Sequence, residues 1–318
     1  MPPSPRFFVT ATLFLIQTLA AAALETPQAW LQAMSEAMQH RNYRATVVYG
    51  RDNRLQTLVL VHMVKDGKVY ERLQALDAPQ RTVIREGGEV QCYFPKRRVL
   101  IVENRQVPRS LFGNALPSHW DQLVRYYRFQ LGPQGQVAGR RVQTLVIEPL
   151  DSARYGRRLW IDVETKLPLR FELVDAAGNV LESFVVVSLE TGAAVRSDTG
   201  PVPARDADWR VIDHREAAAD GRWRLGWLPP GFKEVRRMRR VDPEDGSPVD
   251  HLLISDGLAN VSVYIRPADG DAFAVGKLRL GAVNVYNRRL GDYWVTVLGD
   301  VPPDTVKRIA EGVTDTAS

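Results

Sequence analysis

Apolar residues first recur at helical spacing: Trp30, Leu31, Met34, Ala37 and Met38 share one stripe, with Thr26 in the N-cap position and Pro27 at the first helical residue. After residue 42 the period changes to two, in short β-branched and aromatic runs separated by turn residues. These runs predict strands at 43–49, 55–64, 68–76, 80–85, 89–94 and 97–102. Asp66-Gly67 and Gly87-Gly88 supply tight turns, because glycine tolerates positive φ. A short helix near Ser118 follows, with Trp120, Leu123, Val124 and Tyr127 on one face and the Ser118 hydroxyl as its cap. Strands resume at 141–148, 155–162, 168–174 and 180–189. So many antiparallel strands with so few helices predict a strongly curved sheet, open or closed, with helices against its concave face.

Residues 191–222 lose any period to Gly192, Gly200, Pro201, Pro203 and a run of Ala and Asp, which marks a linker. Strands are expected again at 223–232, 234–241, 249–255, 259–266, 280–289 and 293–298. Pro302-Pro303-Asp304 then opens a closing helix carrying Val306, Ile309 and Ala310. The fold class is α+β, predominantly antiparallel β: a larger domain over 24–190, a linker over 191–222 and a smaller α+β domain over 223–318.

The first residues follow another logic. Arg6, then Phe7, Phe8, Val9, Leu13, Phe14, Leu15, Ile16 and Leu19, then Ala20 to Ala23, read as a secretory signal peptide over 1–23 with cleavage at Ala22 or Ala23; an uncleaved anchor is the alternative. The expected product is soluble in the periplasm, and the absence of a cysteine after the run argues against a lipid anchor. Composition is that of a folded protein, 45% hydrophobic and 25% charged over 318 residues. Cys92, the single cysteine, excludes an internal disulfide and a four-cysteine zinc site. The 42 Lys and Arg exceed 37 Asp and Glu, giving +5, or +4 once Arg6 is removed.

Catalytic patterns are missing. No Gly-x-Ser-x-Gly, His-Glu-x-x-His or Gly-x-Gly-x-x-Gly occurs, and His40, His62, His119, His214 and His251 are scattered singly. Asp242 to Asp250 is acidic, but Gly246 and Leu253 stand where an EF-hand needs ligands, so it reads as a solvated hairpin loop. Gly270 to Lys277 lacks phosphate-loop spacing. Metals and nucleotide cofactors have no visible seat, and an exported hydrolase is left as the third and weakest reading. Basic clusters carry more information: Lys233, Arg236, Arg237, Arg239 and Arg240; Arg154, Arg157 and Arg158 beside Tyr155; and Lys96, Arg97 and Arg98. Guanidinium forks suit phosphate or carboxylate. Strand alternation puts Arg237 and Arg239 on one face and Arg236 and Arg240 on the other. A solvated strand face is the competing explanation.

Arg154-Tyr155-Gly156, then Leu159-Trp160-Ile161-Asp162 leading to Thr165-Lys166-Leu167-Pro168-Leu169-Arg170, resembles the central hairpin of the sigma-E regulatory protein family RseB/MucB. Trp227-Leu228-Pro229-Pro230-Gly231-Phe232, Ser255-Asp256-Gly257-Leu258 and Val295-Thr296-Val297-Leu298-Gly299-Asp300-Val301-Pro302 extend the resemblance over essentially the whole mature chain. It implies a LolA-like half-open barrel around helices, followed by a smaller domain. It also implies a periplasmic binding protein without catalytic residues, which holds the periplasmic part of a membrane-spanning anti-sigma factor and shields it from site-one proteolysis. Lipid or lipopolysaccharide would relieve that inhibition by linkage, with two domains on a flexible linker as the bistable element. Lys233, Arg236, Arg237, Arg239 and Arg240 are the expected partner- or phosphate-binding residues, and Trp160 and Phe171 are candidates to line an acyl-chain site, or else ordinary core. No nucleic acid partner is expected, and homo-oligomerisation stays open. A periplasmic lipid or lipoprotein carrier is the alternative function.

Overall fold

The computed structural model describes residues 26–77, 81–104, 120–195, 208–214, 221–242, 246–268 and 275–316. The expected signal segment and Ser118 lie outside the described residues. Helix α1 (Pro27–His40) begins as its sequence requires, with Thr26 Oγ1 accepting the Ala29 N–H at 3.2 Å. Eleven strands follow: β1 (Tyr43–Arg51), β2 (Arg54–Lys65), β3 (Lys68–Ala75), β4 (Thr82–Glu86), β5 (Glu89–Phe94), β6 (Val99–Asn104), β7 (Tyr127–Val137), β8 (Arg140–Pro149), β9 (Gly156–Asp162), β10 (Pro168–Val174) and β11 (Val180–Thr191). The one-turn helix α2 (Trp120–Leu123) precedes β7.

With β12 (Arg210–His214) these form one 12-stranded sheet, ordered β12-β6-β5-β4-β3-β2-β1-β11-β10-β9-β8-β7. Strands in a flat sheet lie ~4.8 Å apart, yet β7 touches β11 across three intervening strands, so this end is tightly curled. Helix α1 packs on one face, where Trp30, Leu31, Met34 and Met38 join Tyr43, Leu60, Leu145, Ile147, Leu159, Ile161, Phe171 and Leu173.

The smaller domain is a six-stranded antiparallel sheet, β14-β15-β16-β19-β18-β17, built from β14 (Lys233–Val241), β15 (Pro248–Ser255), β16 (Asn260–Pro267), β17 (Gly276–Leu280), β18 (Val283–Leu290) and β19 (Tyr293–Gly299). Helix α3 (Pro303–Glu311) lies against β18 and β19, and β13 (Trp223–Leu225) pairs with β20 (Val313–Asp315). Val306 and Ile309, both fully buried, join Leu252, Ile254, Val261, Val263, Val295 and Val297; each such side chain contributes ~1.5–3 kcal/mol by burial.

Several expectations are corrected. Helix α2 ends at Leu123, and Tyr127 opens a strand; Gly132, Pro133 and Gly135 hid β7, and they are tolerated because β7 is the edge of the sheet and its register shifts between Leu131 and Gln134. The stretch 191–222 contains β12, which pairs parallel with β6, so it is more than a spacer. The expected strand 223–232 stops at Leu225, before Pro229-Pro230-Gly231. The run read as one strand at 280–289 belongs to a hairpin, β17 to β18, turning at Gly281 with φ +67°. Asp250, which fell both in the expected solvated loop 242–250 and in the expected strand 249–255, lies in β15, buried, and accepts the Trp223 indole N–H at 2.7 Å. Among the described residues no helix is long and apolar enough to cross a membrane, and no group of His, Cys, Asp and Glu could hold a metal.

Candidate functional site

The two domains meet where β7, β8 and β9 end against three loops of the smaller domain: 226–232, 256–259 and 300–302. The hub is Arg154, in the loop between β8 and β9. Its Nε donates to Asp256 Oδ2 at 2.7 Å, while Nη1 donates to the Asp151 carboxylate and Nη2 to the Pro230 carbonyl. The guanidinium carbon also lies 4.9, 5.5 and 4.8 Å from the ring centroids of Tyr126, Tyr127 and Phe232. Neither side chain of the Arg154–Asp256 pair has any solvent exposure.

Local turn chemistry aims the carboxylate. Asp256 Oδ1 accepts the N–H groups of Leu258 at 2.9 Å and Ala259 at 2.8 Å, closing a turn in which Gly257 has φ +102°. Oδ2 is left facing the larger domain, where it accepts the Tyr127 hydroxyl at 2.7 Å as well as Arg154. A second pairing lies beside the first. Arg157, on β9, donates through Nη2 to the Leu258 carbonyl at 2.9 Å and to Asp300 Oδ2 at 3.1 Å, and Asp300 Oδ1 accepts the Asn260 N–H at 2.9 Å. Asn284 Nδ2 reaches the Tyr155 hydroxyl at 2.9 Å, and Thr305 Oγ1 donates to the Ala153 carbonyl at 3.1 Å.

Close packing accompanies the polar contacts. Gly231 has φ +86°, and a Cβ there would overlap the Tyr126 ring; one at Gly281 would overlap the Arg51 side chain. Leu258 and Ala282 of the smaller domain belong to the same apolar cluster as Met34, Leu159 and Phe171. The two domains are therefore joined by packing and hydrogen bonds as well as by the chain that links them.

The electrostatics favour holding over catalysis. Burial works against the charge of Arg154, but the bond to Asp256, Tyr127 and Asp151 keep its pKa above the ordinary value. Arg157 behaves alike, with Tyr127, Asp300 and Asp256 outweighing burial. Burial pushes the Tyr127 hydroxyl far up, so it remains a proton donor. Burial also raises Asp300, against the pull of Arg157.

The motifs that carry the family resemblance converge at this junction. Arg154 and Tyr155 come from the first, Pro230 and Gly231 from the second, Asp256 and Leu258 from the third, Asp300 and Val301 from the last. The guanidinium groups of Arg154 and Arg157 suit phosphate or carboxylate, and here each meets carboxylates of its own chain.

The arginines of β14 are arranged differently from an open cationic stripe. Arg237 forks onto Glu234, at 2.7 Å through both Nε and Nη2, and Arg239 lies against Asp250 at 2.7 and 3.0 Å. Arg240 reaches Glu103 of β6 at 3.6 Å and the Met238 sulfur, while Lys233 is exposed and Arg236 is half-buried. The alternation of Arg237 and Arg239 against Arg240 is as expected. Trp160 and Phe171 do not line one cavity. In the β9–β10 register Leu159 opposes Phe171 and Trp160 opposes Arg170, so the two aromatic side chains project to opposite faces. Phe171 is buried on the α1 side; Trp160 is half-buried beneath the Arg170 guanidinium, 4.6 Å from its ring centroid.

Comparison with known proteins agrees across both domains. The MucB/RseB N-terminal domain model matches residues 26–206 and the MucB/RseB C-terminal domain model residues 217–314. The chain is 35% identical over 318 residues to sigma factor AlgU regulatory protein MucB of Pseudomonas aeruginosa, covering 95% of this chain and 96% of that protein. It is 28% identical over 303 residues to sigma-E factor regulatory protein RseB of Escherichia coli K12, covering 94% of each. A crystal structure of MucB in complex with MucA(peri) superposes with a TM-score of 0.71 at 32% identity, covering 92% of this chain and 100% of that one. A crystal structure of MucB superposes at 0.66 and 31% identity, covering 90% and 96%.

Proposed function

The chain belongs to the MucB/RseB family, and from that premise we propose that it is a periplasmic regulator that binds the periplasmic region of a membrane-spanning anti-sigma factor. Its relatives are regulatory proteins and not enzymes. The observation that carries the reading is the match over both domains to a protein whose structure holds MucA(peri). In this reading the bound chain shields the anti-sigma factor from site-one proteolysis, and a lipid or lipopolysaccharide lowers its affinity for that partner.

Linkage sets the terms of such a switch. A ligand that weakens partner binding by a given factor must itself be bound more weakly, by the same factor, in the partner complex. The α1 face of the larger domain, with Phe171, Leu159 and Met34, is the apolar surface proposed to receive acyl chains, and Trp160, on the other face, is excluded from that role. On β14, Lys233, Arg236, Arg237, Arg239 and Arg240 are the proposed partner contacts, with the exposed Lys233 the most accessible of them. Arg237, Arg239 and Arg240 lie against carboxylates of the chain itself and serve primarily to hold the smaller domain together and against β6.

The test is a titration of residues 24–318 against the periplasmic segment of the host's anti-sigma factor, with and without purified lipopolysaccharide. Saturable binding that lipopolysaccharide weakens is the expected result. Absence of binding by folded protein overturns the reading. Transfer of bound lipid to an acceptor without partner binding supports a carrier instead.

A further inference from the structure

We propose that Tyr127 is the mechanical link between the apolar core of the larger domain and the orientation of the smaller one, so that a ligand entering that core releases the Asp256 loop. Its use as a switch rests on the lipid-gated regulator described above. The ring of Tyr127 is 1% exposed and belongs to the cluster that α1 closes, with Met34, Leu145, Leu159 and Phe171. Its hydroxyl leaves that cluster to donate to Asp256 Oδ2 at 2.7 Å. Two residues on, Leu258 places its side chain in the same cluster and its carbonyl on Arg157 Nη2 at 2.9 Å. The 256–259 loop is thus held on the larger domain by a side chain in the core, a backbone carbonyl on Arg157, and a carboxylate shared by Tyr127 and Arg154.

Such an arrangement suits two states better than gradual yielding. A close-packed core passes a local displacement on to its neighbours. Opening the loop returns two fully buried charges, Arg154 and Asp256, to water, and the recovered hydration offsets much of the lost ion pairing. Domain interfaces that are not large and wholly hydrophobic permit relative domain motion, and this one mixes buried ion pairs with apolar contacts. Inserting an acyl chain beside Tyr127 shifts its ring, withdraws the hydroxyl from Asp256 and removes one of the anchors that keep the loop closed.

The test uses spin labels on exposed positions in each domain, Leu55→Cys and Val235→Cys in a Cys92→Ala background, with the interdomain distance distribution read by double electron–electron resonance. The unliganded protein is expected to give one narrow distribution, and lipopolysaccharide to shift or broaden it. Tyr127→Phe keeps the ring and removes only the hydroxyl; it is expected to broaden the distribution without lipid, as is Asp256→Asn, which keeps the side chain's shape. In the partner titration, a lipid-induced loss of affinity of about fivefold or more in the parent should shrink to less than about twofold in Tyr127→Phe. Parent-like distances in both variants overturn the proposal, and so does a full lipid effect on partner affinity in Tyr127→Phe. If lipopolysaccharide leaves partner affinity of the parent unchanged, lipid gating fails, and the distance distributions alone decide whether Tyr127 sets the domain orientation.

Discussion

Removing the Asp256 carboxylate by Asp256→Ala takes four hydrogen bonds with it: those from Arg154 Nε, the Tyr127 hydroxyl, and the N–H groups of Leu258 and Ala259. The largest consequence falls on Arg154, whose side chain has no solvent exposure and loses its fully buried carboxylate partner. Deleting one partner of a buried pair costs ~3–5 kcal/mol, because the surviving charge has neither water nor counter-charge. Asp151, 34% exposed, still faces Nη1 and draws the figure toward ~3 kcal/mol by partial compensation. The stranded Tyr127 hydroxyl adds ~1–3 kcal/mol as an unsatisfied donor, less than additively because it shares the same acceptor oxygen. A total loss of about 3–5 kcal/mol follows. The assay is urea denaturation followed by tryptophan fluorescence and circular dichroism, in a cycle with Arg154→Met and the double variant. Removing both charges leaves no orphaned charge, although the Tyr127 hydroxyl and the Leu258 and Ala259 N–H groups still lack their acceptor, so the double variant should be more stable than the sum of the single losses predicts. A loss below about 1 kcal/mol for Asp256→Ala, or simple additivity in the cycle, refutes the reasoning.

Gly231→Ala should lower stability by more than the ~1–3 kcal/mol of a left-handed backbone alone, because its φ is +86° and its Cβ overlaps the Tyr126 ring; Gly246→Ala, with φ +75° and open space, reports the backbone cost alone, and equal melting shifts would remove the packing argument. Asp162 is held below the usual carboxylate range: burial opposes its charge, but the Thr165 hydroxyl at 2.5 Å and Arg140 outweigh it. Its folded pKa therefore lies below the unfolded value of ~3.9, so its contribution is present above that pH and disappears as pH falls through the folded pKa. Asp162→Asn should be less stable than the parent at neutral pH and converge on it in acid, and a gap constant with pH would contradict this. Replacing the exposed Lys233 by Ser should slow association with the anti-sigma segment and flatten its salt dependence without loss of folding, and unchanged kinetics would remove Lys233 as a contact.

The sequence alone determined what short-range physics governs. The Thr26 cap, the stripe from Trp30 to Met38, the period-two runs and the glycine turns each depend on residues a few positions apart, and the strands and terminal helices formed where those signals stood. Where local signals misled, a neighbour had overruled them: Gly132 and Pro133 sit within β7 because a sheet edge asks for no hydrogen bonds on its outer side, and β12 forms only because β6 offers it a free edge. The domain junction was beyond reach of any such signal. Arg154 and Asp256 are 102 residues apart in the chain, and Arg157 and Asp300 are 143 apart. Their motifs were legible as a family resemblance and their arginines as seekers of phosphate or carboxylate, but that each found a carboxylate of its own chain, and which one, was decided by the packing of one domain on the other. The same holds for Arg239 and Asp250, and for the opposite faces taken by Trp160 and Phe171. A sequence records which side chains are charged or apolar; only the tertiary structure decides whether a charge meets water, a partner protein or its own chain, because desolvation and pairing depend on distances that the chain sets only when it folds.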